Sequence, residues 1–477
     1  MVSEGVKRKV AVIGAGPAGL AAAYKLAQGG CSVDLYEAGP EVGGMSRSLE
    51  LWGHIVDLGP HRFFSGNDEV NQFWFHAIGE EFCWVKRQTR IYYKGRFFNY
   101  PLQAWNTFVN LGFRESILSL ASYCRQKLNW RRFTKPREEN FASWVIRRFG
   151  NRLFEIFFKT YSEKLWGLPC DQIDADFAYR KIRSLSFFEI LKKFANPRKT
   201  YVEFFAYPHR GTGSVYHKLE ARFHKMGGRL HLNSPVVDLE YTDHGVILEA
   251  NGREQTYDTV ISTMPLTLLV KMLNAPEPVL KAARELKFRN TLLVYLLVEG
   301  YDHFTDNWIY VHSPSVDFGR VTNFRNWSPH LYGDKTDTVL CLEYWCDDDE
   351  ALWREKDDVI ISKAMDELRR SRLVKEAPIL KGSVCRVPKS YPVFNIGYKK
   401  NLEVIKKYLA GFDHLCSIGR YGAFKYNNQD HSLLMGLKAA EGILSGLKGD
   451  LSAINAQEIY EEDFAITDEV LSEFEEI

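Results

Sequence analysis

The sequence predicts an α/β protein in which a Rossmann-like nucleotide-binding domain is interrupted by a helical insertion and shares the chain with a mixed β-sheet domain. Three observations carry this reading. A buried strand runs into a glycine turn and an Ala-rich helix at 9–28, apolar residues recur at three and four spacing between 104 and 200, and Val, Leu and Tyr strands alternate with loops between 285 and 385. A chain of 477 residues with 45% hydrophobic content can bury a large core and divide into two or three domains. Lys plus Arg number 62 and Asp plus Glu 60, so no global field recruits nucleic acid and any anion must be held by local clusters.

The first element is Lys9–Ile13, followed by Gly14-Ala15-Gly16-Pro17-Ala18-Gly19 and the helix Ala21–Gln28. Gly14 permits the tight turn, Gly16 lets the backbone approach a pyrophosphate, and Gly19 allows close packing of helix on strand. A second strand, Cys31–Tyr36, ends in Glu37, whose carboxylate can accept from both hydroxyls of an adenine ribose and disfavours a 2′-phosphate. A glycine run alone is a weak signal, but strand, helix and acid arrive here in one βαβ unit. The added Gly43-Gly44-Met45-Ser46-Arg47 keeps two glycines and an arginine near the same pyrophosphate, which points to FAD rather than NAD. The fold class is thus a Rossmann-like FAD-binding domain with a helical insertion and a mixed β-sheet substrate domain.

Further along, Leu51–Ser65 reads as a strand ending in Gly59-Pro60, which presents His61 to a flat ring. A hairpin turns at Lys94-Gly95 and leads into Tyr100-Pro101-Leu102-Gln103. Helices are expected over 113–123, 141–149 and 151–166. The basic run Arg125, Lys127, Arg131, Arg132, Lys135 and Arg137, interleaved with Trp130 and Phe133, reads as a solvated loop, with a peripheral membrane or acidic-partner patch as the alternative. The chain then returns at Phe204–Gly213, and strands at 229–232, 235–239, 246–249 and 259–263 suggest one meander closing on a final strand. Strands at 291–298, 307–311, 319–323 and 339–344 form the second sheet, and a helix spans 356–370. A strand from Leu415 leads through Gly419-Arg420-Tyr421-Gly422 to the helix 433–444. The expected domains are 1–90, 205–280 and 385–450 for FAD, 91–204 as a helical cap over substrate, 281–384 as the β-sheet substrate domain, and 451–477 as an acidic tail.

Other chemistry is excluded by spacing. The eight cysteines are scattered without metal-site spacing, so no metal is expected and a reducing compartment is favoured. No apolar run reaches the length of a membrane span and no signal peptide is expected, which reads as cytoplasmic. Asp430-His431-Ser432 are sequence neighbours, not a nucleophilic triad, and none of the 13 histidines forms an HExxH pair. Gly211-Thr212-Gly213-Ser214 looks like a phosphate loop but lacks the Lys-Ser/Thr ending. No second GxGxxG unit is present, so NADPH or NADH as reductant would have to reach a flavin through the substrate cleft.

The opening fingerprint, Gly43-Gly44, Gly59-Pro60-His61 with Phe63-Phe64-Ser65, Tyr100-Pro101-Leu102-Gln103, Ser262-Thr263-Met264, Gly419-Arg420-Tyr421-Gly422 and Asn428-Gln429-Asp430-His431-Ser432 resemble the UDP-galactopyranose mutases, eukaryotic-type members above all. These belong to the superfamily of monoamine oxidase, protoporphyrinogen oxidase and phytoene desaturase. The likeness runs from about Lys9 to Gly446. It implies an FAD-dependent isomerase in which the reduced flavin N5 attacks the anomeric carbon of a nucleotide-sugar, UDP departs, and the sugar recloses in the other ring size without net redox. His61 and Arg320 would be the catalytic pair, His61 beside the isoalloxazine and Arg320 clamping the pyrophosphate as a bidentate fork. Tyr391 and Tyr426 would donate to the same phosphates, Tyr310 would lie near the substrate, and Tyr100 and Gln103 on the uracil side. The FAD would be held by Gly14, Gly16, Pro17, Ala18, Glu37, Ala38, Gly44, Met45, Ser46, Arg47, Gly59, Pro60, His61, Val236, Gly419, Arg420, Asn428, Gln429 and Ser432.

The chain departs from the family pattern in two places. Lys181 stands where a second pyrophosphate arginine is expected, and Val202 and Glu203 stand where an asparagine precedes Tyr207-Pro208. The alternative is an FAD-dependent oxidase or desaturase of the amine oxidase or protoporphyrinogen oxidase type, in which His61 and an aromatic wall serve hydride transfer. A protein that only binds nucleotide within an assembly is a third reading.

Overall fold

In the computed structural model, residues 7–130, 140–176 and 204–446 are described. They divide into two compact units. One contains the described residues up to Trp84, then Phe205–Lys287 and those from Tyr398 onward; the other contains the described residues of Val85–Phe204 and Phe288–Gly397.

The first unit is built on a five-stranded sheet in the order Leu415–Ser417, Thr259–Ser262, Lys9–Ile13, Ser32–Tyr36, Arg229–His231. Every neighbouring pair is parallel, with Val12 opposite both Ile261 and Leu35. Central strands buried on both faces must be apolar throughout, and Val10, Ala11, Val12, Val260 and Ile261 are fully buried. The helix Pro17–Gln28 packs on Gln429–Ser445 so closely that a side chain at Gly436 would come within 2.2 Å of the Ala18 carbonyl oxygen. Its alanines leave room for that approach.

The expected single meander over 229–263 is corrected. Only Val236–Thr242, Gly245–Ala250 and Arg253–Tyr257 form an antiparallel meander, while Arg229–His231 and Thr259–Ser262 join the parallel sheet. The distinction lies in burial: Thr259–Ser262 is a continuous buried run beyond its first residue, whereas the meander strands put residues such as Asp238, Glu240 and Arg253 into water. The single strand expected before Gly59 is likewise a hairpin, Ser48–Leu51 with His54–Asp57.

The second unit holds a seven-stranded mixed sheet in the order Ile379–Pro392, Phe288–Val298, Thr338–Cys346, Arg320–Asn323, Trp308–Val311, Thr89–Tyr93, Arg96–Asn99. The hairpin at Lys94-Gly95, with φ of 48° and 80°, is therefore one edge of this sheet. The strand Ile379–Pro392 runs on through position 385 and carries Tyr391. Helix Asp357–Ser371 covers one face with Ile360, Ala364 and Leu368. Helices Ala104–Leu111, Phe113–Trp130 and Phe141–Phe149 precede a helical stretch over 151–166, which contains a π turn at Glu155–Lys159. No helix among the described residues is long and apolar enough to cross a membrane.

Candidate active site

In the first unit, the residues expected to hold a dinucleotide gather at the carboxyl ends of the parallel strands, where open α/β sheets bind ligands. Gly14 has φ of +95° and donates its N–H to Tyr36 O at 2.7 Å; a Cβ there would come within 2.1 Å of Thr263 Oγ1. Gly44 faces Gly16, and a Cβ on Gly44 would lie 3.1 Å from the Gly16 Cα. Gly419, at φ +79°, faces Ala18 and Thr263 from the carboxyl end of the edge strand Leu415–Ser417. The helix Pro17–Gln28 starts with proline and has neither a side-chain cap nor an acid in its first turn, which leaves its amino end suited to an anion. Arg47, one turn beyond Gly43-Gly44, keeps its Nε buried without a hydrogen-bond partner, a donor that a diphosphate would satisfy. Met45 and Ser46 form the short turn between them. These residues fit FAD.

Glu37 is fixed by its own loop. Its Oε2 accepts from Ala15 N at 2.7 Å and its Oε1 from Gly39 N at 2.9 Å, so each oxygen keeps a further acceptor site for a ribose hydroxyl. Ala38 is exposed beside it. Val236 is buried in the core with Ala11, Ile13 and Tyr36.

The loop Gly59-Pro60-His61 is held by a buried carboxylate that sequence reading missed. Asp57 accepts from Ser48 Oγ at 2.6 Å, Tyr207 OH at 2.7 Å, and Thr212 through both N at 3.1 Å and Oγ1 at 2.9 Å. Thr212 Oγ1 also lies 2.8 Å from the His61 carbonyl oxygen. A threonine hydroxyl carries one hydrogen, and two acceptors compete for it while Asp57 is ionised. A proton on Asp57 resolves the conflict, because the acid then donates to Thr212 and Thr212 donates to His61 O. Burial pushes the Asp57 carboxyl up to about 6, against the pull of its hydrogen bonds. The glycines of Gly211-Thr212-Gly213 thus serve close packing: a Cβ on Gly211 would lie 2.4 Å from Ser48 Oγ. The signal in the sequence was a lone acid between Val56 and Leu58.

His61 Nδ1 lies 3.2 Å from Gly59 O, an acceptor only, so Nδ1 carries the proton in this contact. Gln429 Nε2 donates to Arg62 O at 2.8 Å and its Oε1 accepts from Tyr216 OH at 2.8 Å, bracing the same loop. Arg420 turns back on its own segment, donating to Asn427 O at 2.8 Å with its guanidinium 4.8 Å from the Tyr426 ring centre. Asn428 begins the helix Gln429–Ser445, and its carbonyl accepts from Ser432.

In the second unit, strand register sets Tyr310 beside Arg320 and Arg320 beside Glu343 in one row across the sheet. Arg320 gives its Nε to Glu343 Oε1 and its Nη2 to Oε2. Burial works against the charge on Arg320, but the Glu343 carboxylate overrides it, with Tyr391 and Tyr161 adding to the same effect, and holds the guanidinium firmly protonated. The side-on fork assigned to pyrophosphate from the sequence is therefore engaged by Glu343. Nη1 and the second hydrogen of Nη2 are left for a ligand. The buried Glu343 is a single acid in a nine-residue strand otherwise buried throughout, a signal of a required cation that could have been read.

Aromatic rings surround this pair. Tyr310 lies 4.9 Å from Tyr100 and 5.7 Å from Tyr161, Tyr161 stacks on His312 at 4.7 Å, and Tyr391 meets the edges of Trp345 and Trp166. Tyr100 is partly open to solvent, and Gln103 is exposed with its Oε1 accepting from Asn99 at 2.8 Å. Lys164, also missed from sequence, donates to Ser313 O at 2.8 Å and to Val311 O and Phe318 O at longer range. Burial lowers Lys164 to about 8, and burial with the nearby Lys164 charge lowers His312 to about 3, so His312 stays neutral. Lys181, Val202 and Glu203 lie outside the described residues, as do Arg131, Arg132, Lys135 and Arg137.

Residues 17–379 match the family of flavin containing amine oxidoreductases. Among curated proteins, the chain is 36% identical over 88 residues to 1-hydroxycarotenoid 3,4-desaturase of Flavobacterium sp. (strain P99-3), covering 18% of each chain. It is 46% identical over 63 residues to protoporphyrinogen oxidase 2 of Arabidopsis thaliana, covering 13% of this chain and 12% of that one. These matches span less than a fifth of either relative. Among solved structures, reduced UDP-galactopyranose mutase superposes with a TM-score of 0.83 at 24% identity, over 95% of this chain and 96% of that one. Putrescine oxidase bound to putrescine gives 0.63 at 16% identity, over 92% and 99%. At such identities these likenesses establish the fold.

Proposed function

Because this chain belongs to the flavin containing amine oxidoreductase family and is a flavin-dependent enzyme, we propose that it is an FAD-dependent mutase interconverting the ring forms of a nucleotide-sugar. The observation that carries this is the arginine set among phenols in the second unit. Arg320 is half-buried with Tyr391 and Tyr161 near enough to act on its charge, and Tyr310 and Tyr100 lie along the same cluster. An anion-binding group ringed by hydroxyls suits a diphosphate leaving group and has little use for a greasy or cationic substrate.

When bound in its reduced form, the flavin supplies a nucleophilic N5 for the anomeric carbon. Arg320 Nη1 and the hydroxyl of Tyr391 donate to the diphosphate oxygens as negative charge gathers there. Tyr100 and Tyr310 stack on the base, with Gln103 hydrogen-bonding its edge, and Lys181 supplies the second cation. His61 stands at the flavin with its Nδ1 proton tied to Gly59 O, so the ring orientation is set before substrate enters. Either NADPH or NADH is the reductant.

A second reading is favoured by one specific observation: Glu343 neutralises Arg320, so the pair as it stands has no net charge. An oxidase or desaturase of the kind named among the curated relatives would be consistent with that. The test is to reduce the FAD-loaded protein with dithionite under anaerobic conditions and incubate it with a panel of UDP- and TDP-sugars, with chromatography of the products. A mutase yields an isomer only after reduction and consumes no oxidant. Bleaching of the oxidised flavin by an amine, porphyrinogen or polyene, with recovery on oxygen, would establish the oxidase reading instead.

A further inference from the structure

The helices Ala104–Leu111 and Phe113–Trp130 are built inside out. On the longer one the inward face is Glu115, Ser116, Ser119, Ser122 and Tyr123: Ser119 and Tyr123 are buried, Ser122 Oγ accepts from Arg152 N at 3.2 Å, and Glu115 forms a bidentate pair with Arg152. A side chain at Gly150 would come within 2.9 Å of the Tyr123 backbone, so this polar, small-residue face is the one that packs. The outward face carries Phe113, Ile117, Leu120 and Leu128, spaced as one helical stripe, with Phe113 73% and Leu128 70% exposed. The shorter helix continues the pattern, with Trp105 at 65% and Phe108 and Val109 also exposed. An amphipathic helix that turns its apolar stripe to water has a partner for it.

The charges on this face identify the partner. Across 104–130 the charged residues are Arg114, Glu115, Arg125 and Lys127. Glu115 is turned inward onto Arg152, so the three exposed ones are all basic. An isologous contact with a second copy would set these cations against one another. Nucleic acid would leave the apolar stripe unburied. Anionic lipid headgroups above an acyl layer satisfy both features, with Trp and Phe in the interface and Arg and Lys toward the headgroups. We propose that the outward face of these two helices docks the protein onto an anionic membrane surface, without crossing it. This goes beyond the ring-interconversion reading and is independent of it.

The experiment is vesicle sedimentation of the full-length, FAD-loaded protein, using phosphatidylcholine alone and phosphatidylcholine with about a third phosphatidylglycerol, at low and high salt. Wild type should partition onto the anionic vesicles about a hundredfold more strongly than onto the neutral ones, with the difference shrinking in salt. Combining Trp105→Ser, Phe113→Ser and Leu128→Ser should reduce binding to both vesicle types by about tenfold or more. Combining Arg114→Gln, Arg125→Gln and Lys127→Gln should remove roughly a hundredfold on anionic vesicles only, at about fivefold per basic side chain. Retained flavin absorbance and an unchanged unfolding temperature certify that the variants are folded, as expected for exposed sites. The proposal is overturned if wild type does not sediment with anionic vesicles, or if the serine variant binds them like wild type. It is equally overturned if wild type proves to be an oligomer that the serine variant splits while neither binds lipid, since a second copy would then cover the stripe.

Discussion

Glu343 lies directly across the strand pair from Arg320 and takes the Nε and Nη2 edge of its guanidinium, with the carboxylate side chain 2% and the arginine 15% exposed. The pair decides both how firmly the centre of the second sheet is held and how much of the arginine remains for a ligand.

Removing either partner alone strands a buried charge. Arg320→Ala should cost roughly 3–5 kcal/mol in urea unfolding, and it should abolish turnover while FAD stays bound. The double variant Arg320→Leu with Glu343→Leu should recover most of the stability and none of the activity. Loss of FAD from Arg320→Ala would place this arginine in the wrong role.

The cradle in the first unit makes a separable prediction. Arg47→Ala should weaken FAD by about ten- to a hundredfold, the worth of a charged hydrogen bond of roughly 1.5–3 kcal/mol, with little change in the stability of the apoprotein. Gly14→Ala should abolish FAD binding, because the new methyl group meets Thr263 Oγ1 and φ of +95° strains any side chain. Titration of apoprotein with FAD, followed by flavin fluorescence quenching, measures both.

Asp57 gives stability a dependence on acid. Its folded value is raised from 3.8 to about 6, so the folded state holds this proton more tightly than the unfolded chain. Its contribution is complete below 3.8 and is lost as pH rises through about 6, up to about 3 kcal/mol in all. Asp57→Asn, which imitates the protonated form, should flatten that segment of the stability profile measured by urea midpoints from pH to pH. An unchanged profile would mean that Asp57 does not titrate there.

Lys164 acts at the other end of the scale. Its folded value is lowered from 10.5 to about 8, so the folded state binds the proton more weakly and stability should climb as pH rises from about 8 toward 10.5. Compared with Lys164→Met, wild type should gain up to about 3 kcal/mol across that interval. A constant difference between the two proteins would show that the ammonium is better solvated than its burial implies.

The glycine turn and the acid that closes on it were legible from the sequence because their parts are local. Gly14, Gly16, Pro17 and Glu37 fall within one strand–turn–helix–strand unit, and the hydrogen bonds from Ala15 N and Gly39 N to Glu37 close within that unit. Periodicity likewise placed the helices 113–123 and 141–149, because apolar spacing reports helix whichever face is buried. The same periodicity could not say which way the 113–130 helix would turn: its apolar stripe faces water because Glu115, Ser119 and Ser122 meet Arg152, Gly150 and their neighbours, a fact of packing between helices. Nor could it show that Arg320 is shared with Glu343, or that Asp57 ties Ser48, Tyr207 and Thr212 beneath His61, because those pairings depend on strand register and on chain segments far apart in sequence. The chain by itself determined most of the elements and the glycine turn after the first strand, through local backbone sterics and apolar spacing. Which charges are paired, which carboxyl is buried and which helix face is left to solvent were decided only when distant segments packed and desolvated one another.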